Sequence, residues 1–106
     1  MVGPGSPIPQ RRDDSPQYND LVYYIYILKS ERDNNIYTGF TKNLKLRLKE
    51  HLAGRVKSTS LRKPMKLIYY EAYLSESDAR RRERYLKAGG KAKLNLKEQI
   101  NFSLNT

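Results

Sequence analysis

LVYYIYILKSERDNNIYTGF, residues 21–40, is the stretch that decides the fold. Leu21 to Leu28 is aromatic or β-branched at most positions and apolar on both alternating faces, the pattern of a central strand covered on two sides. Ser30 to Asn35 is a polar turn, and Ile36 to Phe40 is a second short strand, so the pair predicts an antiparallel hairpin. Gly39, inside a strand, predicts a bulge or a close backbone approach. Two tyrosine-bearing tripeptides sit on this hairpin, Tyr24-Ile25-Tyr26 and Tyr37-Thr38-Gly39, with ten residues between them.

Working outward, Asn43 to Ala53 reads as a helix capped by Thr41 or Asn43 and ended by Gly54. Leu44, Leu48 and Leu52 recur every four residues and are expected to form its buried stripe. Residues 54–66 read as a basic loop and Leu67 to Tyr73 as a third strand. Ser75 with Asp78 resembles a capping box opening a helix that runs to about Lys87, where Gly89-Gly90 breaks it. Residues 91–100 are expected to form a third helix. The expected order is β-β-α-β-α-α: an α/β (α+β) domain with a small, mainly antiparallel three-stranded sheet flanked by helices. Residues 1–20 hold four of the five prolines and no apolar periodicity; they are expected to be a disordered tail ahead of one domain at 21–106.

The net charge of +10 favours a polyanionic partner such as nucleic acid. Removing the two arginines and three aspartates of residues 1–20 raises it to +11. The chain has no cysteine, which rules out disulfides, thiolate metal sites and a cysteine nucleophile. No apolar run approaches the length of a membrane span, and the N-terminus lacks the order of a signal peptide, so no membrane partner and a cytoplasmic location are expected.

Several residues could carry phosphate chemistry. Arg47 and His51 are one helical turn apart and reach one patch; Arg47 suits a phosphoryl group and His51 a phosphate oxygen or a proton. Surface charge and a helix-end histidine are the plain alternatives. Tyr26 or Tyr37 becomes useful if a cation such as Arg47 lies near its hydroxyl. Glu83 shares a helical face with Ala79 and Leu86, and an inward carboxylate needs a partner, either an arginine or a hard ion such as Mg²⁺. In the 54–66 loop, Lys57, Thr59, Arg62 and Lys63 suit phosphate contacts. The run Arg80-Arg81-Arg82 reads as helix surface charge.

These residues, in this order, resemble the GIY-YIG nuclease family, particularly its small stand-alone bacterial members. More distantly, the chain is similar to the nuclease domain of the excision-repair endonuclease. The resemblance covers about residues 22–95. Tyr24-Ile25-Tyr26 stands where the family has Gly-Ile-Tyr, and Tyr37-Thr38-Gly39 where it has Tyr-Ile-Gly. LKLRLKEH matches the arginine helix, with Arg47 and His51 at its two functional positions, and EAYLSESDARRRERYLK puts the metal-binding glutamate at Glu83. Asn95 resembles the late asparagine of the excision-repair branch.

The resemblance implies a DNA endonuclease dependent on Mg²⁺ (or Mn²⁺), without a small-molecule cofactor, in DNA repair or recombination. It would be structure-selective or weakly sequence-selective, acting as a monomer or weak homodimer. In that scheme Tyr26 or Tyr37 activates or positions water, Arg47 stabilises phosphoryl charge, His51 assists, and the metal on Glu83 stabilises the leaving 3′ oxygen. The alternatives are a nucleic-acid-binding module of the same fold without useful turnover, and an RNA-directed protein.

Overall fold

A computed structural model describes residues 22–106, and the expected N-terminal tail lies outside the described residues. Three strands, β1 (Tyr23–Ser30), β2 (Ile36–Thr41) and β3 (Met65–Tyr73), form one antiparallel sheet in the order β2-β1-β3. Between β2 and β3 runs α1 (Leu44–Leu52); after β3 come α2 (Glu76–Lys87), α3 (Gly90–Gln99) and a short α4 (Asn101–Leu104). The expected architecture holds, with α4 and a 3₁₀ turn at Ser60–Arg62 in addition among the described residues.

β1 is central, as its two apolar faces require. Ile25, Tyr26, Ile27 and Leu28 are all buried, and full burial of such a side chain stabilises by roughly 1.5–3 kcal/mol. Directly paired residues share a face of the sheet. On one face, Ile25 and Ile27 pack with Ala79 and Leu86 of α2, Leu96 of α3, and Ile100. On the other, Tyr26 and Leu28 pack with Met65, Tyr37 and the α1 residues Leu44 and Leu48. The sheet therefore separates an α1 side from an α2–α3 side.

Asn43 caps α1 by accepting a hydrogen bond from the Leu46 N–H at 3.0 Å, and Gly54, at φ 73°, follows the helix end in the left-handed region. The expected leucine stripe is corrected at its last position: Leu52 is 62% exposed, and His51 takes the buried place. With helical turns of 3.6 residues, a strict spacing of four drifts around the axis, so the third leucine leaves the core.

The 54–66 segment, expected as a basic loop, is partly folded into the core. Val56 and Met65 are buried, and so is Thr59, whose N–H donates to the Val56 carbonyl at 3.1 Å. α2 is capped by Ser75, which accepts from the Asp78 N–H.

Candidate active site

The hub of the α1 side is the Tyr26 hydroxyl. Tyr26 is 0% exposed, and its oxygen lies 2.8 Å from His51 Nε2 and accepts from Arg47 Nε at 3.4 Å. His51 Nδ1 lies 2.7 Å from Thr59 Oγ1, and the Thr59 hydroxyl donates to the Val56 carbonyl at 3.5 Å. One ring nitrogen donates and the other accepts; with the threonine proton on Val56, Nδ1–H donates to Thr59 and Nε2 accepts from Tyr26, and with that proton on Nδ1 the two roles exchange. Tyr37, partly exposed, completes the group; its ring centroid lies 6.2 Å from that of Tyr26 and 5.4 Å from that of His51.

The electrostatics follow from burial. Desolvation pushes the Tyr26 hydroxyl up to about 12, against the opposing pull of Arg47. Burial, then the Arg47 charge, hold His51 below its ordinary value, so the ring is neutral near pH 7 and can accept a proton. Tyr26 therefore stays protonated unless His51 takes the proton. Arg47 is the cation that reaches the surface: its side chain is 36% exposed and pairs with Glu50 at 3.1 Å.

Gly39 sits directly across the ladder from Tyr26, and a Cβ there would overlap the Tyr26 ring and hydroxyl. The glycine of the second tripeptide thus makes room for the tyrosine of the first.

Glu83 lies on α2, the helix packed against the other face of the sheet. Its side chain is 14% exposed, with Lys87 Nζ at 2.9 Å from Oε2 and Arg80 at 3.4 Å from Oε1. Arg80 also stacks on Phe40 of β2, with its guanidinium carbon 3.6 Å from the ring centroid, which ties this end of α2 to the edge strand. No hydrogen bond or ion pair joins Glu83 to the tyrosine group among the described residues. Nor do those residues include a group of three or more histidines and carboxylates that could hold a metal. One mostly sheltered carboxylate behind two half-exposed cations does fit a hard divalent ion that keeps most of its waters.

Comparison with known proteins decides the family. The model of the GIY-YIG catalytic domain matches residues 22–95. The chain belongs to the GIY-YIG family. It is 44% identical over 66 residues to a UPF0213 protein of Staphylococcus haemolyticus, covering 61% of this chain and 79% of that one. It is 45% identical over 65 residues to a UPF0213 protein of Clostridium perfringens, covering 60% and 69%. The solution NMR structure of a UPF0213 protein from Bacillus halodurans aligns with a TM-score of 0.50 at 29% identity, covering 80% of this chain and 94% of that one.

Within this GIY-YIG domain, Tyr26, Tyr37, Arg47 and His51 converge, while Glu83 is carried separately by α2 and Asn95 is exposed on α3. Of the four residues expected to contact phosphate, Lys57 and Lys63 are exposed and Arg62 is half-buried beside Asp33 at 3.8 Å. The expectation for Thr59 is corrected: it is fully buried, and its hydroxyl serves His51 instead of a backbone phosphate.

Sequence reasoning missed the Glu71–Arg82 pair. Arg82 grips the Glu71 carboxylate through Nε at 3.0 Å and Nη2 at 2.9 Å, while the Tyr69 and Tyr73 hydroxyls donate to the same carboxylate. Arg82 is thus not the surface charge that its run of arginines suggested. The available signal was Tyr69-x-Glu71-x-Tyr73, three residues on one face of β3 with the carboxylate in the middle. Their pairing partners Ile27, Ile25 and Tyr23 put that face under α2, so the ion pair fixes the helix that carries Glu83.

Proposed function

We propose that this GIY-YIG domain is a divalent-metal-dependent endonuclease that hydrolyses phosphodiester bonds of DNA. The observation that carries this reading is the convergence of Tyr26, Tyr37, Arg47 and His51 on one patch within the family-matched segment. A partly exposed guanidinium suits a phosphate oxygen and the charge that grows on it during displacement. Tyr37 is the more accessible tyrosine and is the one to orient the attacking water. Tyr26, buried between Arg47 and His51, fixes the guanidinium and passes its proton to neutral His51 when charge develops.

Glu83 would hold Mg²⁺ or Mn²⁺ through one carboxylate oxygen once Lys87 and Arg80 swing aside; both of those side chains are about half exposed. Held there by Glu83, the ion would supply Lewis-acid stabilisation of the leaving 3′ oxygen. Asn95 belongs to the same proposal as a late polar contact, and Lys57, Arg62 and Lys63 as backbone contacts. The expectations of a structure-selective substrate, a repair role, a cytoplasmic setting and a monomer or weak homodimer stand with it. No described helix is long and apolar enough to cross a membrane.

The test is cleavage of varied DNA structures with Mg²⁺ or Mn²⁺ by the parent chain, Glu83→Gln and Arg47→Ala. Loss of about 10²-fold or more in each variant is expected for groups that act only on the transition state. Equal cleavage by parent and variants overturns the assignment. The second reading, a binding module without turnover, has one observation in its favour: Glu83 is already paired with Lys87 and Arg80. It predicts salt-dependent binding of DNA or RNA with no metal-dependent nicks.

A further inference from the structure

Beside the tyrosine group, on the same face of the sheet, is a cavity of about 340 Å³ that the proposed reaction does not use. Tyr24 and Tyr70 wall it, Leu48 of α1 forms part of its floor, and Lys42 and Lys45 stand at its margin. Tyr24 is two positions before Tyr26 on β1, and Tyr70 is the ladder partner of Tyr26 on β3, so the cavity adjoins the hub. The two rings meet edge to face, with centroids 6.0 Å apart and planes at 63°. Tyr70 is 52% exposed, an open aromatic surface next to the proposed phosphate site.

We propose that this cavity is a subsite for one unpaired nucleobase. The base stacks on the Tyr70 ring against the edge of Tyr24, and Lys45, with Lys42, meets the adjoining phosphate. Three features favour this occupant. Aromatic faces flanked by cations match the alternation of base and phosphate along a single strand. Lys45 has no ion-pair partner among the described residues, whereas the Lys42 ammonium lies 4.0 Å from Glu76 and 5.8 Å from the centroid of the Tyr23 ring, so Lys45 is the freer cation at the cavity. A base inside a duplex has both faces covered by its stacked neighbours, so only an unpaired base can offer a face to Tyr70. The inference rests on the nuclease reading and narrows it: the cleaved bond lies next to an unpaired nucleotide.

The experiment measures binding apart from cleavage. Short single-stranded oligodeoxynucleotides carrying one fluorescent adenine analogue, and the same sequence as a full duplex, are titrated without metal at fixed salt into Glu83→Gln protein. Stacking predicts quenching of the analogue in the single strand only, and tighter binding of that strand than of the duplex. Tyr70→Ala should weaken single-strand affinity about 5- to 100-fold and abolish the quenching, while Tyr70→Phe, which keeps the ring, should retain both. Lys45→Ala should weaken binding and flatten its salt dependence without removing the quenching.

The proposal is overturned if Tyr70→Ala binds and quenches like its parent, or if the duplex binds as tightly as the single strand. Cleavage by the unmutated chain is scored separately. Cleavage without base stacking sinks this subsite alone, and stacking without cleavage sinks the nuclease reading alone.

Discussion

Gly39 and Tyr26 face each other across the β1–β2 ladder so closely that a β-carbon on Gly39 would overlap the tyrosine ring and hydroxyl. The chemistry of the site thus depends on a missing side chain. Gly39→Ala should push the Tyr26 ring from its place between Arg47 and His51, destabilising the fold by about 1–3 kcal/mol as overpacking does. Denaturant midpoints check the stability. The same variant should lose cleavage by more than the stability loss explains, because the Arg47 and His51 contacts move with the ring.

The neutral state of His51 sets a pH dependence. Its folded value is depressed by burial and by Arg47, so between that value and the ordinary histidine value of about 6.5 the unfolded chain binds more protons than the folded one. Stability therefore falls as pH drops through about 6.5 and levels off below the folded value. Activity should fall on the same acid side, since protonated His51 no longer accepts a proton. In His51→Gln the stability step in that window should vanish. Thermal melting at closely spaced pH values measures it; an unchanged step would place the titration elsewhere.

A different acid limb comes from Glu71. Burial raises its value, but the bonds from Arg82, Tyr73 and Tyr69 outweigh this and hold the carboxyl below the ordinary glutamate range. Its stabilisation is present above the unfolded value and is lost as pH falls through the folded one. Arg82→Ala strips the carboxylate of its bidentate partner and should cost about 3 kcal/mol, with both groups mostly shielded from water. Arg81→Ala, at an exposed neighbour that pairs with Asp78 at 3.7 Å, should cost less than about 1 kcal/mol. Chemical denaturation of the two variants separates an interior clamp from surface charge.

The contrast between Arg81 and Arg82 shows what the sequence could and could not display. The hairpin was legible because LVYYIYIL is apolar on both faces, and α2 because Ser75 and Asp78 mark its start and Gly89-Gly90 its end. Arg47 and His51 were legible as neighbours because one helical turn separates them. Thr59 was misread because its burial depends on how the 54–66 segment folds back over α1, which no local periodicity encodes. Arg82 was misread because three successive arginines look alike until β3 supplies Glu71. Glu83 reads as inward-facing and is indeed mostly sheltered, but its immediate partners come from its own helix, at i−3 and i+4.

Those partners make the last prediction. Lys87 holds an ammonium 2.9 Å from the oxygen a divalent cation would need, so the two compete for one carboxylate. Lys87 is half exposed, and water screens the pair, which limits the competition to about 1 kcal/mol. Lys87→Met keeps the aliphatic stem and removes the charge. It should tighten direct Mn²⁺ binding about fivefold, read by calorimetric titration of the chain without nucleic acid. Glu83→Gln should abolish that binding in either background. If Lys87→Met leaves Mn²⁺ affinity unchanged while Glu83→Gln removes it, the ammonium is a bystander and the metal approaches the other carboxylate oxygen. If Glu83→Gln binds Mn²⁺ as well as the parent, the ion is held elsewhere, and the role proposed for Glu83 fails.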